Sequence, residues 1–285
     1  MPEIERPDGA RLYYEVHGTG FPVLLLAPGG PDSRIGSWDT NFYHPVTELS
    51  QHFQVIALDQ RGAGRSSAPA EPFCYQRIVA DQLAVLDALG IEEAHVVAAG
   101  SATAQAWRLA HDAPERVRAI VAQEPVGIVS GVNSLSTYLS QYDEAMRLPR
   151  AEGLAAVLES AVLDGRFAEN PGAGPFAAKL NTDPLFREEI LAGRRERYIV
   201  RVLRFRDGIW PAGSALFSVP EEWLASCPPV LVLPGNDAAH PELLAKRITA
   251  EAPNALSLNP DFAEPEQRAE TVGAIVSFLT THTEP

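Results

Sequence analysis

The chain has 285 residues, of which 46% are hydrophobic and 21% are charged. This length and this apolar content suffice for one large α/β domain with an insertion, or for two smaller domains. A chain with a formal net charge of −14 repels nucleic acids and anionic membranes, so we expect neither as a partner.

Cysteine usage and the lack of long apolar runs favour a cytosolic protein. Neither Cys74 nor Cys227 lies in a CxxC pair or beside a cluster of histidines, so the sequence predicts no disulfide framework and no zinc site. Residues 1–20 contain no apolar run of signal-peptide length, and no stretch approaches 18 apolar residues. No metal or cofactor motif is present either, so we expect no cofactor. We expect a small-molecule substrate, and the sequence leaves open whether the protein forms a homodimer.

Strand-like and helix-like segments alternate along most of the chain. After a hairpin turn at Gly9 and Ala10 and a short strand at 11–18 come five apolar runs, typical of strands buried on both faces of a sheet. These runs are PVLLLAP (22–28), FQVIALD (53–59), AHVVAA (94–99), VRAIVAQE (117–124) and PVLVLPG (229–235). Helical patterns occupy 79–90, 102–112, 241–252 and 270–281. The alternation predicts a doubly wound, mostly parallel α/β sheet.

The alternation stops between residues 127 and 219, where helical patterns are interrupted by Pro and Gly. This predicts a helical cap inserted into a core made of residues 1–126 and 220–285. Within the cap, four arginines are spaced 3, 4 and 3 residues apart, which places them along one helix face: Arg194, Arg197, Arg201 and Arg204. They either draw a carboxylate-bearing substrate to the entrance or form a solvated face paired with nearby acids.

The order of these segments resembles the α/β-hydrolase superfamily. The matching segments are LLLAPGGP (24–31), VIALDQRGAGRSS (55–67), LGIEEAHVV (89–97), APERVRAIV (113–121) and PPVLVLPGND (228–237). Together they cover the core but not the cap. The resemblance implies an α/β-hydrolase sheet, a nucleophile at the turn after 94–99, and an oxyanion loop at Gly29 and Gly30.

The nucleophile turn departs from the family pattern Gly-x-Ser-x-Gly, whose strained backbone lifts the serine into the site. An ungapped alignment puts Gly100 at the serine position, with Ser101 one residue later. If the strand is shifted by one residue, Ser101 is the nucleophile, but alternate side chains then change faces. If it is not shifted, Gly100 occupies the elbow and the nucleophile is absent. The N–H groups of Gly30 and Ser101 would still form an oxyanion hole.

The acid and the base also depart from the pattern. The resemblance implies a histidine after the last strand, yet residues 255–272 contain none. Asp237 follows the strand at 229–235, where the family often has its acid, and His240 comes three residues later. Either Asp237 orients His240 as a general acid or base, or both are residues favoured at a helix entry. The chain therefore looks like a divergent, bacterial-type member without the standard serine and histidine.

Three further residues are expected around the substrate. Gly29 lies in the oxyanion loop, and Trp38 either walls the pocket above it or packs in the core. Glu124 ends a strand at the carboxyl edge of the sheet, where ligands bind in open α/β sheets.

We expect an enzyme that acts on a small carbonyl- or carboxylate-containing molecule. The displaced serine and the missing histidine favour lyase, decarboxylase, isomerase or cyclase chemistry, with the oxyanion hole holding an anionic intermediate. One alternative is hydrolysis of an ester, lactone, amide or C–C bond by Ser101 with His240 and Asp237. Another is a catalytically inactive protein that binds a small molecule.

Overall fold

A computed structural model describes residues 2–260 and 264–283, and its central element is one eight-stranded sheet. The strands are β1 (Glu3–Glu5), β2 (Arg11–His17), β3 (Pro22–Leu26), β4 (Gln54–Leu58), β5 (Ala94–Ala99), β6 (Val117–Gln123), β7 (Val230–Leu233) and β8 (Ala255–Ser257). Their order is β1-β2-β4-β3-β5-β6-β7-β8, and from β4 to β8 all neighbours are parallel. The predicted mostly parallel α/β sheet is confirmed, and the five predicted buried strands differ from the observed ones by at most two residues at either end.

Five helices accompany the strands of the core. They are α1 (Pro45–Leu49), α2 (Tyr75–Ala88), α3 (Ala102–Asp112), α10 (Glu242–Glu251) and α11 (Pro265–Thr281). Helix α3 has the predicted bounds, whereas α2 and α11 begin four and five residues earlier than the apolar periodicity indicates. In the part of the chain that is described, no helix combines the length and the hydropathy that crossing a bilayer requires.

Residues 124–229 are all described and contain helices but no strand. The α-helices there are α4 (Leu135–Leu139), α5 (Asp143–Ala151), α6 (Leu154–Glu159), α7 (Ala177–Thr182), α8 (Pro184–Ala192) and α9 (Arg195–Ile209). We call this segment the inserted helices. The arginine stripe does not lie on one uninterrupted helix, because Arg194 precedes α9 and Gly193 separates α9 from α8.

The sheet separates two apolar clusters, which explains why its central strands are apolar without interruption. In β5, Val96 and Ala98 pack with α3 on one face, and Val97 and Ala99 pack with α11 on the other. Successive strand side chains point to opposite faces, so both sets are buried. Buried packing on two faces fixes the register of β5 and therefore the place where it ends.

The loop after β3 is attached to the turn after β4 by one buried carboxylate. Asp59 is 2% exposed; its Oδ1 accepts the N–H of Ile35 at 2.7 Å, and its Oδ2 accepts the N–H of Arg65 at 2.8 Å. Gly64 has φ of +54°, and a Cβ there would lie 2.5 Å from the Asp59 carboxylate. The carboxylate therefore fixes the chain that follows Gly29 and Gly30.

We expect Asp59→Ala to lower the free energy of unfolding by about 2–4 kcal/mol, because it leaves the buried Ile35 N–H and the Arg65 guanidinium without this acceptor. Urea denaturation measures the change. Asp39→Ala is the control, since the Asp39 side chain is 70% exposed. Equal stabilities for the two variants would contradict the role assigned to Asp59.

Candidate active site

A cavity of about 490 Å³ opens at the carboxyl ends of the central strands, where open α/β sheets bind ligands. The loops after β3, β5, β6 and β7 form one side, and residues of the inserted helices form the other. Six of the residues expected from the sequence line it: Gly29, Gly30, Gly100, Ser101, Glu124 and His240.

Trp38 does not line this cavity, so its expected place beside the substrate is corrected. Its side chain is 1% exposed and belongs to the apolar cluster that includes Leu25 and Val97. The neighbours Ser37 and Thr40 line the cavity instead. A large apolar ring gains more from full burial against the sheet than from a half-solvated wall.

The sharp turn between β5 and α3 is made by Gly100. Its φ is +55°, whereas Ser101 already has helical angles of −58° and −24°. Glycine adopts the left-handed region without the steric cost that a Cβ brings. The Gly100 N–H donates to the Gln123 carbonyl at 3.0 Å, which joins the turn to β6. The unshifted register, with Gly100 in the turn, is therefore the one that the structure has.

The Ser101 hydroxyl faces the oxyanion loop. Its Oγ accepts the N–H of Gly30 at 2.9 Å. The Ser101 N–H lies at the start of α3, where the first N–H groups lack intrahelical acceptors. Within the described part of the chain, Ser101 Oγ has no hydrogen bond with His240. The hydroxyl thus occupies the acceptor position at the Gly30 N–H.

Asp237 and His240 are joined in the loop after β7. His240 Nδ1 lies 3.1 Å from both carboxylate oxygens, and Asp237 Oδ1 also accepts the N–H groups of Ala239 and His240. Desolvation opposes ionisation, but the hydrogen bonds and the charge of His240 outweigh it, so the pKa of Asp237 is lowered. The pairing leaves Nε2 facing the turn: an ideal Cβ on Gly100 would lie 3.7 Å from it.

The loop that carries this pair is held from the inserted helices by two polar side chains that the sequence did not reveal. Asn133 Nδ2 donates to the Ala238 carbonyl at 2.8 Å, and Tyr138 Oη lies 2.7 Å from the Ala239 carbonyl. Burial raises the pKa of Tyr138 to about 12, so its hydroxyl keeps the proton that it donates. No motif could identify these residues, because their role depends on where the inserted helices pack.

Asp32 is a second carboxyl group that the sequence did not single out. It lies beside Gly30 in the cavity wall, its side chain is 13% exposed, and Arg34 Nε is 3.4 Å from it. Burial raises the pKa of Asp32 to about 6, and the nearby acids Asp59, Asp164 and Glu169 add to the effect of burial while Arg34 opposes it.

No arginine of the predicted stripe lines the cavity. Arg201 pairs with Glu189 at 2.8 Å and lies over the Phe186 ring. This contact fits the alternative in which the arginines form a solvated face paired with nearby acids. The arginine that does line the cavity is Arg166, which pairs with Glu169 at 3.1 Å. Among the described residues, no group of three or more His, Cys, Asp or Glu side chains is placed to hold a metal ion.

We expect Tyr138→Phe to lower kcat by about fivefold with little change in KM, because the loop of His240 loses a hydrogen bond of about 1 kcal/mol. Steady-state kinetics on any substrate that the protein turns over measures kcat and KM separately. Tyr142→Phe is the matched control, since Tyr142 is equally buried and makes no hydrogen bond to this loop among the described residues. An equal loss of kcat in both variants would mean a general packing effect.

The raised pKa of Asp32 predicts a pH-dependent stability. A carboxyl whose pKa is higher in the folded state favours folding fully at low pH, and this contribution is lost as the pH rises through about 6. Asp32→Asn should therefore raise the free energy of unfolding near pH 7.5 by up to about 3 kcal/mol and change it little near pH 4. Urea titrations at both pH values test this, with Asp39→Asn as the exposed control; a stabilisation equal at both values would refute it.

Comparison with known proteins agrees with this fold. Residues 22–163, about half of the chain, match the family model described as alpha/beta hydrolase fold. An enol-lactonase from Burkholderia xenovorans LB400 superposes with a TM-score of 0.63 at 21% identity, over 98% of this chain and 100% of that one.

Two curated relatives are named as hydrolases. A protein of Azorhizobium caulinodans named as a carbamate hydrolase is 39% identical over 121 residues, which are 42% of this chain and 43% of the relative. A 2-hydroxymuconate semialdehyde hydrolase of Pseudomonas sp. strain CF600 is 29% identical over 234 residues, which are 78% of this chain and 76% of the relative. The chain thus spans less than half of the first relative and about three quarters of the second. The relatives of this chain named above are enzymes. Its fold, the family model and these relatives together show that the chain belongs to the α/β-hydrolase superfamily.

Proposed function

We propose that the protein is a hydrolase of a small ester, lactone, amide or C–C bond substrate, with His240 as its general base. The observation that carries the proposal is the Asp237–His240 pair, whose Nε2 faces the turn at Gly100. The names of the relatives favour hydrolysis over the lyase, decarboxylase, isomerase or cyclase chemistry that the sequence suggested first. The cytosolic location expected from the sequence remains part of this proposal.

In this proposal the site lacks a covalent nucleophile, and the attacking group is water. Gly100 holds the left-handed turn, and Ser101 already belongs to the start of α3. An oxygen placed just above Gly100 would be within hydrogen-bonding reach of His240 Nε2, since even a Cβ there lies 3.7 Å away. The space that a serine side chain would fill is therefore open to a water molecule.

The proposed reaction needs one base and one oxyanion hole. His240 Nε2 takes a proton from the water as its oxygen bonds to the carbonyl carbon, and Asp237 stabilises the imidazolium that forms. The N–H groups of Gly30 and Ser101 receive the developing oxyanion once the Ser101 hydroxyl has rotated away. His240 then returns the proton to the leaving group as the scissile bond breaks.

The cavity supports a small, mostly uncharged substrate. Its volume of about 490 Å³ falls in the range of small-molecule sites. Among the described residues, the arginine that lines its wall is Arg166, whose charge is offset by its ion pair with Glu169.

Hydrolysis of a panel of nitrophenyl esters and lactones in water labelled with a heavy oxygen isotope tests the proposal. We expect label in the acid product, and His240→Ala should lower kcat by about 10²–10⁴-fold. Ser101→Ala keeps the backbone N–H and should lower kcat much less than His240→Ala does. If ligands bind but none of the panel is hydrolysed, the result would contradict the hydrolase proposal and favour either the non-hydrolytic chemistry or a binding protein. Full activity of the His240→Ala variant would refute the role of His240 as general base.

A fluorophosphonate probe with peptide mapping tests the nucleophile. We expect no adduct on the native chain and a new adduct on residue 100 of Gly100→Ser, because that hydroxyl would reach His240. The positive φ costs this variant about 1–3 kcal/mol, so Gly90→Ser, which has φ of +68° and open space around it, controls for strain. An adduct on Ser101 of the native chain would instead support the Ser101 mechanism.

A further inference from the structure

We propose that Glu124 is a second catalytic residue, which together with His240 holds the attacking water above Gly100. This inference rests on the proposed function and adds to it a group that contacts the water directly.

The sheet places Glu124 between the turn and the base. At the end of β6, Gln123 is in register with Ala99 of β5 on one side and with Leu233 of β7 on the other. The next residue, Glu124, therefore lies beside Gly100 and beside the start of the loop that carries His240. Neighbouring strands are only about 4.8 Å apart, so a glutamate side chain spans that distance easily.

The backbone of Glu124 is held in an unusual conformation. Its φ is +47°, in the left-handed region that non-glycine residues rarely adopt, and such strain is typical of functional sites. Its N–H donates to the Leu233 carbonyl at 2.7 Å, which fixes the turn. Glu124 lines the same cavity as Gly100 and His240.

The Glu124 carboxylate is free to accept a hydrogen bond from a ligand. Among residues 2–260 and 264–283, no side chain or backbone group donates to it and no cation pairs with it. The preceding side chain, Gln123, shows the contrast: its amide exchanges two hydrogen bonds with Asn41, at 2.7 and 3.1 Å. An acceptor without a donor in a cavity wall leaves a place for a water molecule or a substrate group.

An attacking water molecule needs a second hydrogen-bond acceptor, whereas an attacking serine hydroxyl does not. A serine hydroxyl has one proton and is fixed through its Cβ, whereas a water molecule has two protons and is fixed by hydrogen bonds alone. One proton directed to His240 Nε2 and the other to Glu124 would leave a lone pair for the carbonyl carbon.

The carboxylate also stabilises the charge that develops during attack. The water oxygen becomes positive as it bonds to carbon, until Nε2 removes one proton. That proton later leaves with the leaving group, and the second remains on the product acid. Glu124 therefore neither gains nor loses a proton over the catalytic cycle.

The kinetic test is Glu124→Gln, which keeps the shape and backbone but weakens the acceptor. We expect kcat to fall about 10- to 100-fold with KM nearly unchanged. Glu242→Gln is the matched control, because Glu242 lies two residues after His240, pairs with Lys246 and is exposed outside the cavity. An unchanged kcat, or a change in KM alone, would overturn the proposal; the second result would make Glu124 a substrate-binding group.

The same substitution in the Gly100→Ser background sharpens the test. There the hydroxyl of residue 100 attacks without a bound water, so Glu124→Gln should slow the acylation burst far less than it slows native turnover. Equal losses in both backgrounds would contradict a water-holding role.

A crystal structure of the native chain near pH 7 provides a test that does not depend on activity. We expect an ordered water within about 3.2 Å of both His240 Nε2 and a Glu124 oxygen, and its loss in Glu124→Leu. A Glu124 side chain turned away from this position would refute the inference. If the water is present but no substrate is hydrolysed, the proposed function fails while the water site stands.

Discussion

The left-handed backbone at Gly100 is the constraint on which the site depends. Strand β5 is buried on both faces, so its end cannot shift, and the chain must reverse at once into α3. That reversal places Ser101 at the start of α3, where its Oγ accepts the N–H of Gly30 in the loop after β3. It also brings β6 and its terminal Glu124 alongside the turn. The residue that allows the turn has no side chain, so the chemistry has to come from its neighbours.

Those neighbours are held by contacts of different strength. Asp59, whose side chain is buried, fixes the loop after β3 through hydrogen bonds to backbone N–H groups, which are costly to break. The loop of Asp237 and His240 is more exposed and is held by Asn133 and Tyr138 from the inserted helices. The side of the cavity formed by Gly29 and Gly30 is thus set by contacts within the core, while the position of His240 also depends on how the inserted helices pack.

The sequence predicts the core well because hydrophobic burial sets its pattern. Five apolar runs predict the central strands, whereas the sequence left open whether Gly100 or Ser101 makes the turn after β5. Short, exposed β8 has no such pattern and was not predicted. Trp38 was misplaced because an aromatic residue next to a loop fits a pocket wall and a core equally well until packing decides. Asn133 and Tyr138 could not be recognised, since their hydrogen bonds join residues about 100 positions apart.

The proposed acid and base, Asp237 and His240, lie on one loop, only three residues apart. Their hydrogen bond is set by local backbone geometry: Asp237 also accepts the N–H of His240, and a Cβ on Gly235 would lie 2.4 Å from His240 Cβ. When acid and base stand on separate segments, any relative movement of those segments stretches the bond between them. Here both groups stand on one short segment, so the distance between them does not depend on how two separate segments pack. The geometry of the pair is therefore determined by contacts within residues 235–240.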